Sequence, residues 1–294
     1  MDYCLATVMT NIDNTNFFYS ILRMQRVNEN IEALIEEYPP NYCASLEAVY
    51  GEGMMSEGGE AEIKAMIQHL DLTGKTVLDF GCGLGGVSLY LAKHFDCQVY
   101  GIDINPHMIE KLRVNYSKLT AKEAFAGQLK AMTYSDSQQL PFDTESIDII
   151  ISKGVLTHVQ YKTIVFNEFH RVLKMNGQLC INDWLSSVSQ QWGWRVQRMI
   201  EIEGLSIHAV AVDDYKALLT ASQFEIIDHM DVSAKYAAFN QQIVQYLSSE
   251  AGHLKFATTF TEELCLEYIE SYQAIADAMS GGELQVHNFI AVKK

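Results

Sequence analysis

The chain has 294 residues, 48% of them hydrophobic and only four of them proline, enough to bury one α/β core with an elaboration of it rather than two independent domains. Its 37 acidic residues against 21 Lys and Arg leave a formal charge of −16, which disfavours nucleic acid or another polyanion as partner, since phosphate neutralisation needs a basic stripe. There is no run of about 18 apolar residues for a membrane span and no basic start at Met1-Asp2-Tyr3-Cys4 for a signal peptide, and the six cysteines lack metal-type pairing, so a reducing cytoplasm is expected.

Residues 17 to 37 place Phe17, Ile21, Val27, Ile31, Leu34 and Ile35 at mostly helical spacing, which predicts an amphipathic N-terminal extension ending at Pro39-Pro40. The segment Tyr50-Gly51-Glu52-Gly53-Met54-Met55-Ser56-Glu57-Gly58-Gly59 follows, and then a helix from Glu60 to Leu70 with Ile63, Met66, Ile67 and Leu70 on one face. Thr76, Val77 and Leu78 form a buried β-run that passes through Asp79 and Phe80 into Gly81-Cys82-Gly83-Leu84-Gly85-Gly86, after which Val87 to Leu91 resumes at helical spacing. Glycines 81, 83 and 86 fit the fingerprint of a nucleotide-type cofactor loop, where missing side chains let the backbone approach the ligand. Asp79 would repel a pyrophosphate at the helix N-terminus and would orient a cationic amino group, which points to a zwitterionic amino-acid tail on the ligand.

Val99 to Asp103 reads as a second strand ending in an acid 22 residues after Gly81, where a carboxylate can accept both hydroxyls of a ribose. Asn105-Pro106 caps a helix running to about Leu119. A third strand at Leu129 to Tyr134 leads into Ser135 to Phe142, with Asp136 placed to accept from an adenine amino group, and Ser146 to Ser152 is a fourth, buried strand. A helix over Tyr161 to Lys174, ended by Asn176-Gly177, precedes a fifth strand at Gln178 to Asp183. Beyond it Trp184, Trp192 and Trp194 open a run to about Leu219 that is in position to cover a site. A strand at Phe224 to Val232, a helical stretch from Lys235 to Met279 and a last strand at Gln285 to Val292 complete the chain.

Taken together, Asp79 to Gly85, Asp103, Asp136 to Phe142 and Asp148 to Ser152 resemble the successive motifs of the class I S-adenosylmethionine-dependent methyltransferases, over about residues 50 to 183. The resemblance implies an α/β, doubly wound, Rossmann-like seven-stranded methyltransferase sheet whose last strand is antiparallel and inserted. It implies a helical N-terminal extension and lid over 1–59, a methyltransferase domain over 60–294, and helical caps at about 184–222 and 234–282. S-adenosylmethionine, leaving as S-adenosylhomocysteine, would lie with its methionine part on Asp79, Gly81, Gly83 and Gly85, its ribose on Asp103 and Ile104, its adenine on Asp136 and Ser137, and Ser152 at the end of the fourth strand beside it. The Asn/Asp-Pro-Pro-aromatic tetrad of enzymes that methylate base amines is absent, its place being Ser152-Lys153-Gly154-Val155, so a small-molecule acceptor is expected.

Open α/β sheets bind ligands beyond the carboxyl ends of their strands, which directs the search for the acceptor to Lys153 to His158, Asp183-Trp184 and the N-terminal segment. His158 is the acid/base candidate, since an imidazole can take a proton near neutral pH. Tyr38 with the run from Tyr50 to Gly59 is similar to the entry segment of the phosphoethanolamine N-methyltransferase group. There a tyrosine 13 residues before the run's first glycine pairs with a histidine after strand four, latching over the ligands and assisting deprotonation; Tyr38 and His158 occupy those positions. The same resemblance puts Tyr50, Met55 and Ser56 against the cofactor and Lys153 and Trp184 against the acceptor.

The chain also departs from that group. Lys153-Gly154 stands where the group has Arg-Asp, and its phosphate-binding Arg and Tyr cluster finds no match in Ile200 to Ala211. Arg195, Arg198 or His208 are the substitutes on offer, against a solvated helix face for the two arginines. N-methylation of a small amine is therefore the expected activity, with O- or C-methylation, a non-catalytic S-adenosylmethionine-binding protein and an NAD-dependent oxidoreductase as alternatives. Nine histidines without a His-Glu-x-x-His or comparable cluster predict no metal, and composition does not decide between a monomer and a homo-oligomer.

Overall fold

In the computed structural model, which describes residues 31–134 and 139–294, every named strand joins one sheet. The strands are β1 (Thr76–Phe80), β2 (Gln98–Asp103), β3 (Gln128–Thr133), β4 (Ile147–Lys153), β5 (Leu173–Ser186), β6 (Phe224–Asp231) and β7 (Leu284–Lys293), in the order β3-β2-β1-β4-β5-β7-β6. β1 to β5 run parallel, and β7 is inserted antiparallel between β5 and β6, as the resemblance implied.

The near-continuous apolar runs of β1 and β4 are explained by burial on both faces, as a parallel sheet covered by helices requires. Alternate side chains go to opposite cores. Val77, Val99, Ile149 and Ile151 pack with Ile63, Met66, Leu91 and Ile109 from the helices Gly59–Ile67, Gly86–His94 and Pro106–Thr120. Leu78, Ile102 and Ile150 pack on the other face with Phe166, Phe169, Tyr215 and Leu219 from Lys162–Val172 and Val212–Ala221. A third core lies beyond the strand ends, where Trp192, Val196 and Met199 meet Tyr236, Tyr268, Tyr272 and Val286 under the helices Trp194–Glu203, Ser233–Ser248 and Glu262–Ser280.

Two sequence expectations need correction. Pro39-Pro40 does not simply end the N-terminal extension: Pro40 opens a further helix, Pro40–Tyr50, because proline lacks only the N–H that the first helical position leaves unpaired. Asn176-Gly177 does not end the preceding helix, which stops at Val172; Leu173 already pairs with Ile147, and the left-handed Asn176 lies in an irregularity of β5 before pairing resumes at Ile149 and Gln178. The stretch after β6 is three helices, Ser233–Ser248, Glu250–Thr259 and Glu262–Ser280, the last two each opened by a Ser or Thr cap. The N-terminal helical expectation lies outside the described residues up to residue 30, and residues 31–36 are helical. Among the described residues no helix is long and apolar enough to cross a membrane.

Candidate active site

A cavity opens at the carboxyl ends of β1, β2 and β4, between the glycine loop, the Met55-Ser56 segment and the turn that carries His158. The loop is anchored by Gly81 and Cys82, whose N–H groups both donate to the Ile102 carbonyl at 2.9 Å. Gly81 has φ +73°, and a Cβ there would come within 2.5 Å of Val155, so both the backbone angle and the close packing call for glycine.

Asp103 stands at the end of β2 and lines the cavity. Its carboxylate accepts from Gly83 N–H at 2.8 Å and from Asn105 N–H at 2.9 Å, one on each oxygen. Burial raises its pKa while these N–H bonds oppose the rise, and each oxygen keeps capacity for another donor. That is the chemistry a pair of vicinal ribose hydroxyls needs. Ile102, Ile104, Met108 and Tyr134 supply an apolar wall beside it, suited to a flat base. The residues present thus fit an adenosyl ligand.

Four of the expected cofactor residues do not line the cavity. Asp79 is buried beneath the loop and accepts from Ser88 Oγ at 2.6 Å, its carboxyl pushed up to about 7 by burial. Gly85 is the left-handed cap of the following helix, where a Cβ would overlap Leu112. Ser152 is wholly buried at the end of β4, and Tyr50 is stacked on Phe239 and edge-on to Tyr272 in the cap. Trp184, expected at the acceptor, packs half-buried against the cap core and is likewise off the cavity. Asp136 and Ser137 lie outside the described residues.

Tyr38 and His158, 120 residues apart in the chain, are brought together, with Tyr38 Oη 3.2 Å from His158 Nε2. His158 Nδ1 lies 3.0 Å from the Ser206 carbonyl, which can only accept, so Nδ1 carries the proton and Nε2 presents its lone pair to the phenol. Burial lowers the histidine pKa and raises the tyrosine pKa, leaving both neutral. The one-turn helix Leu156–His158 is pinned on several sides. Thr157 N–H donates to Asp183 Oδ1 at 2.9 Å, His208 N–H donates to the Thr157 carbonyl at 2.8 Å, and Lys162 Nζ donates to the Val159 carbonyl at 3.0 Å. Asp183, with Tyr215 Oη at 3.0 Å on its other oxygen, was legible only as a strand end.

Lys153 lines the cavity but is engaged: its Nζ donates to Ser56 Oγ and to the Glu57 carbonyl, each at 2.7 Å, and burial pulls its pKa down to about 8. It ties the Met55-Ser56 segment to the end of β4. The same segment docks on the loop helix through Gly86 N–H to the Gly53 carbonyl at 2.9 Å, with Met54 packed where a Gly86 side chain would stand. This second role of Gly86 has no signal in the sequence. Arg195 is paired with Glu283, and Arg198 with Glu270 and Glu201.

Residues 78–181 match the family model described as a methyltransferase domain. The chain is 28% identical over 277 residues to phosphoethanolamine N-methyltransferase 1 of Triticum aestivum, covering 92% of this chain and 51% of that protein. It therefore spans about half the length of the curated relatives it matches. The fold superposes on Haemonchus contortus phosphoethanolamine N-methyltransferase 2, solved with phosphomonomethylethanolamine and S-adenosylhomocysteine, with a TM-score of 0.74 at 18% identity, over 86% of this chain and 57% of that one. A cyclopropane synthase of Mycobacterium tuberculosis superposes with a TM-score of 0.73 at 15% identity, over 90% of this chain and 98% of that one. The matched domain, the strand order and the motifs at the strand ends agree: residues 78–181 carry a methyltransferase domain, set in the seven-stranded class I methyltransferase fold, and the chain is similar to the phosphoethanolamine N-methyltransferases.

Proposed function

We propose that the chain methylates the nitrogen of a small amine, and the observation that carries this reading is the neutral Tyr38–His158 pair bordering the cavity that Asp103 also lines. S-adenosylmethionine, when bound, supplies an electrophilic sulfonium methyl. Asp103 holds the ribose hydroxyls, the backbone at Gly81 and Gly83 admits the methionine part, and Asp136 with Ser137 takes the adenine. Met55 and Ser56, held down by Lys153, cover the ligand from the other side. His158 Nε2 receives the proton of the amine, directly or through the Tyr38 hydroxyl, because its lone pair already points at that hydroxyl. Excluding water and aligning the amine with the methyl supplies most of the gain, about 7 kcal/mol or more.

The N-terminal residues up to 59 serve as the lid in this reading. A reducing, cytoplasmic setting is supported by five free, buried cysteines among the described residues, and the absence of a nucleic-acid partner by the charge of −16. Calorimetric titration with S-adenosylmethionine, S-adenosylhomocysteine and NAD tests the cofactor: micromolar binding of the adenosyl ligands, lost in Asp103→Ala, is expected. Binding of NAD alone would overturn the reading.

A further inference from the structure

We infer that Asn105 is a positioning residue that couples the ribose site at Asp103 to the Tyr38–His158 pair, so that loading the cofactor fixes Tyr38 in place. This rests on the methyltransferase reading above and adds to it a link between cofactor binding and the proton-accepting pair.

Asn105 lines the cavity, is 4% exposed, and commits its polar groups to three different partners. Its N–H donates to Asp103 Oδ1 at 2.9 Å. Its Oδ1 accepts from His107 N–H at 3.0 Å, which caps the helix Pro106–Thr120. Because that bond commits the oxygen, the amide nitrogen is left free to face the other way, and Nδ2 donates to the Tyr38 carbonyl at 3.1 Å. One residue thus ties the carboxylate of the ribose site to the main chain of the residue whose phenol meets His158.

The Tyr38 carbonyl needs such a donor. Tyr38 lies in the break between the helical residues 31–36 and the helix Pro40–Tyr50, outside both helices. Pro39 and Pro40, which follow it, have no N–H to offer. Among the described residues the other donor to this carbonyl is the Cys43 thiol at 3.4 Å, a weak donor. Removing the Asn105 amide therefore leaves the carbonyl poorly satisfied and Tyr38 less firmly held.

The same face of the helix Pro106–Thr120 docks the rest of this segment. Asn105 at its cap, then Met108 and Lys111, recur every three residues along that face. Met108 packs with Cys43 and Leu84, and Tyr38 and Met55 lie against that cluster. Lys111 Nζ lies 3.3 Å from Glu47 Oε2, and Glu47 Oε1 accepts from Gly53 N–H at 2.9 Å, just before Met54-Met55-Ser56. Of these three docking residues, Asn105 is the one bonded to Asp103. A ligand held by the Asp103 carboxylate stiffens the Asp103–Asn105 turn and, through Nδ2, keeps Tyr38 over the cavity with its hydroxyl on His158.

The test is hydrogen–deuterium exchange over residues 38–50 of the full chain, without and with saturating S-adenosylhomocysteine, for the parent, Asn105→Ser and Asn105→Asp. Both substitutions keep an oxygen that caps the helix, but serine is too short to reach Tyr38 and aspartate offers it no donor. In the parent, S-adenosylhomocysteine should slow exchange of this segment about tenfold or more. In both variants exchange without ligand should be faster than in the parent, and the added protection should largely disappear. S-adenosylhomocysteine should still bind both, with its Kd raised by no more than about tenfold, because the coupling is reciprocal. That retained binding shows the variants to be folded. Equal added protection in the parent and both variants, or none in the parent despite binding, would overturn the inference and leave the methyltransferase reading standing. Loss of S-adenosylhomocysteine binding in both variants would make Asn105 part of the ribose site itself and overturn the coupling. Failure of the parent to bind S-adenosylhomocysteine would overturn both readings.

Discussion

Two neighbours fix the tautomer of His158, the Ser206 carbonyl on Nδ1 and the Tyr38 hydroxyl on Nε2, which suits it to the proposed role of base. His158→Ala should therefore lower kcat by about 10²-fold or more while the affinity for S-adenosylmethionine changes little; equal losses in both would make the histidine structural. Because burial lowers its pKa, the acid limb of the kcat profile should fall below the ordinary imidazole value of about 6.5. Asp79 titrates the other way. Its carboxyl, raised from 3.8 to about 7, binds more protons folded than unfolded across that window, so the stability it contributes is full below about pH 4 and is lost as the pH rises through 7. A cationic amino group lodged near it would favour the ionised form. Binding of S-adenosylhomocysteine at about pH 6.5 should then release a proton, seen as a calorimetric enthalpy that varies with buffer ionisation, and Asp79→Asn should abolish the variation. An enthalpy independent of buffer would place Asp79 out of the ligand's reach.

At the scale of elements, the site depends on how separate segments are fastened to strand ends. Lys153→Met removes the tie between β4 and the Met55-Ser56 segment, and should weaken S-adenosylmethionine binding by about 1–3 kcal/mol. An unchanged Kd would show that the segment is held by the Gly53–Gly86 contact alone. Gly85→Ala meets both a left-handed backbone, φ +99°, and the Leu112 side chain, and should cost about 3 kcal/mol of stability in denaturant unfolding. Element types were legible wherever periodicity was long, as in β1, β4 and the helix of Lys162–Val172. The limits of elements were not. Asn176-Gly177 carries the same left-handed signal at a helix end and in a strand irregularity, and only the pairing of Leu173 with Ile147 separates the two.

For the whole molecule, the cap core and the sheet share β7: Val286 belongs to the cap core, while Phe289 and Ala291 belong to the sheet core. Heating should give one cooperative transition. S-adenosylhomocysteine at about 100 times its Kd should stabilise the fold by about 2.7 kcal/mol and shift both far-ultraviolet and tryptophan signals together. Trp192 and Trp194 lie in the cap segment and Trp184, on β5, packs against the cap core, so a tryptophan transition separate from the backbone signal would show the cap to unfold by itself.

The sequence alone determined the strand-loop-helix units, the acid at the end of β2 and the type of domain, because glycine loops and buried β-runs are local patterns whose chemistry follows from spacing. It also singled out Tyr38 and His158, through a resemblance rather than through any local rule. Only the tertiary structure decided which of the expected residues face the cavity: Tyr38, Met55, Ser56, Gly81, Gly83, Asp103, Ile104, Lys153 and His158 do, whereas Asp79, Gly85, Ser152, Tyr50 and Trp184 do not. The reason is geometric. Which way a side chain leaves a strand end depends on the segments packed over it, and those segments, Pro40–Tyr50 and Trp194–Glu203 above all, arrive from more than 100 residues apart.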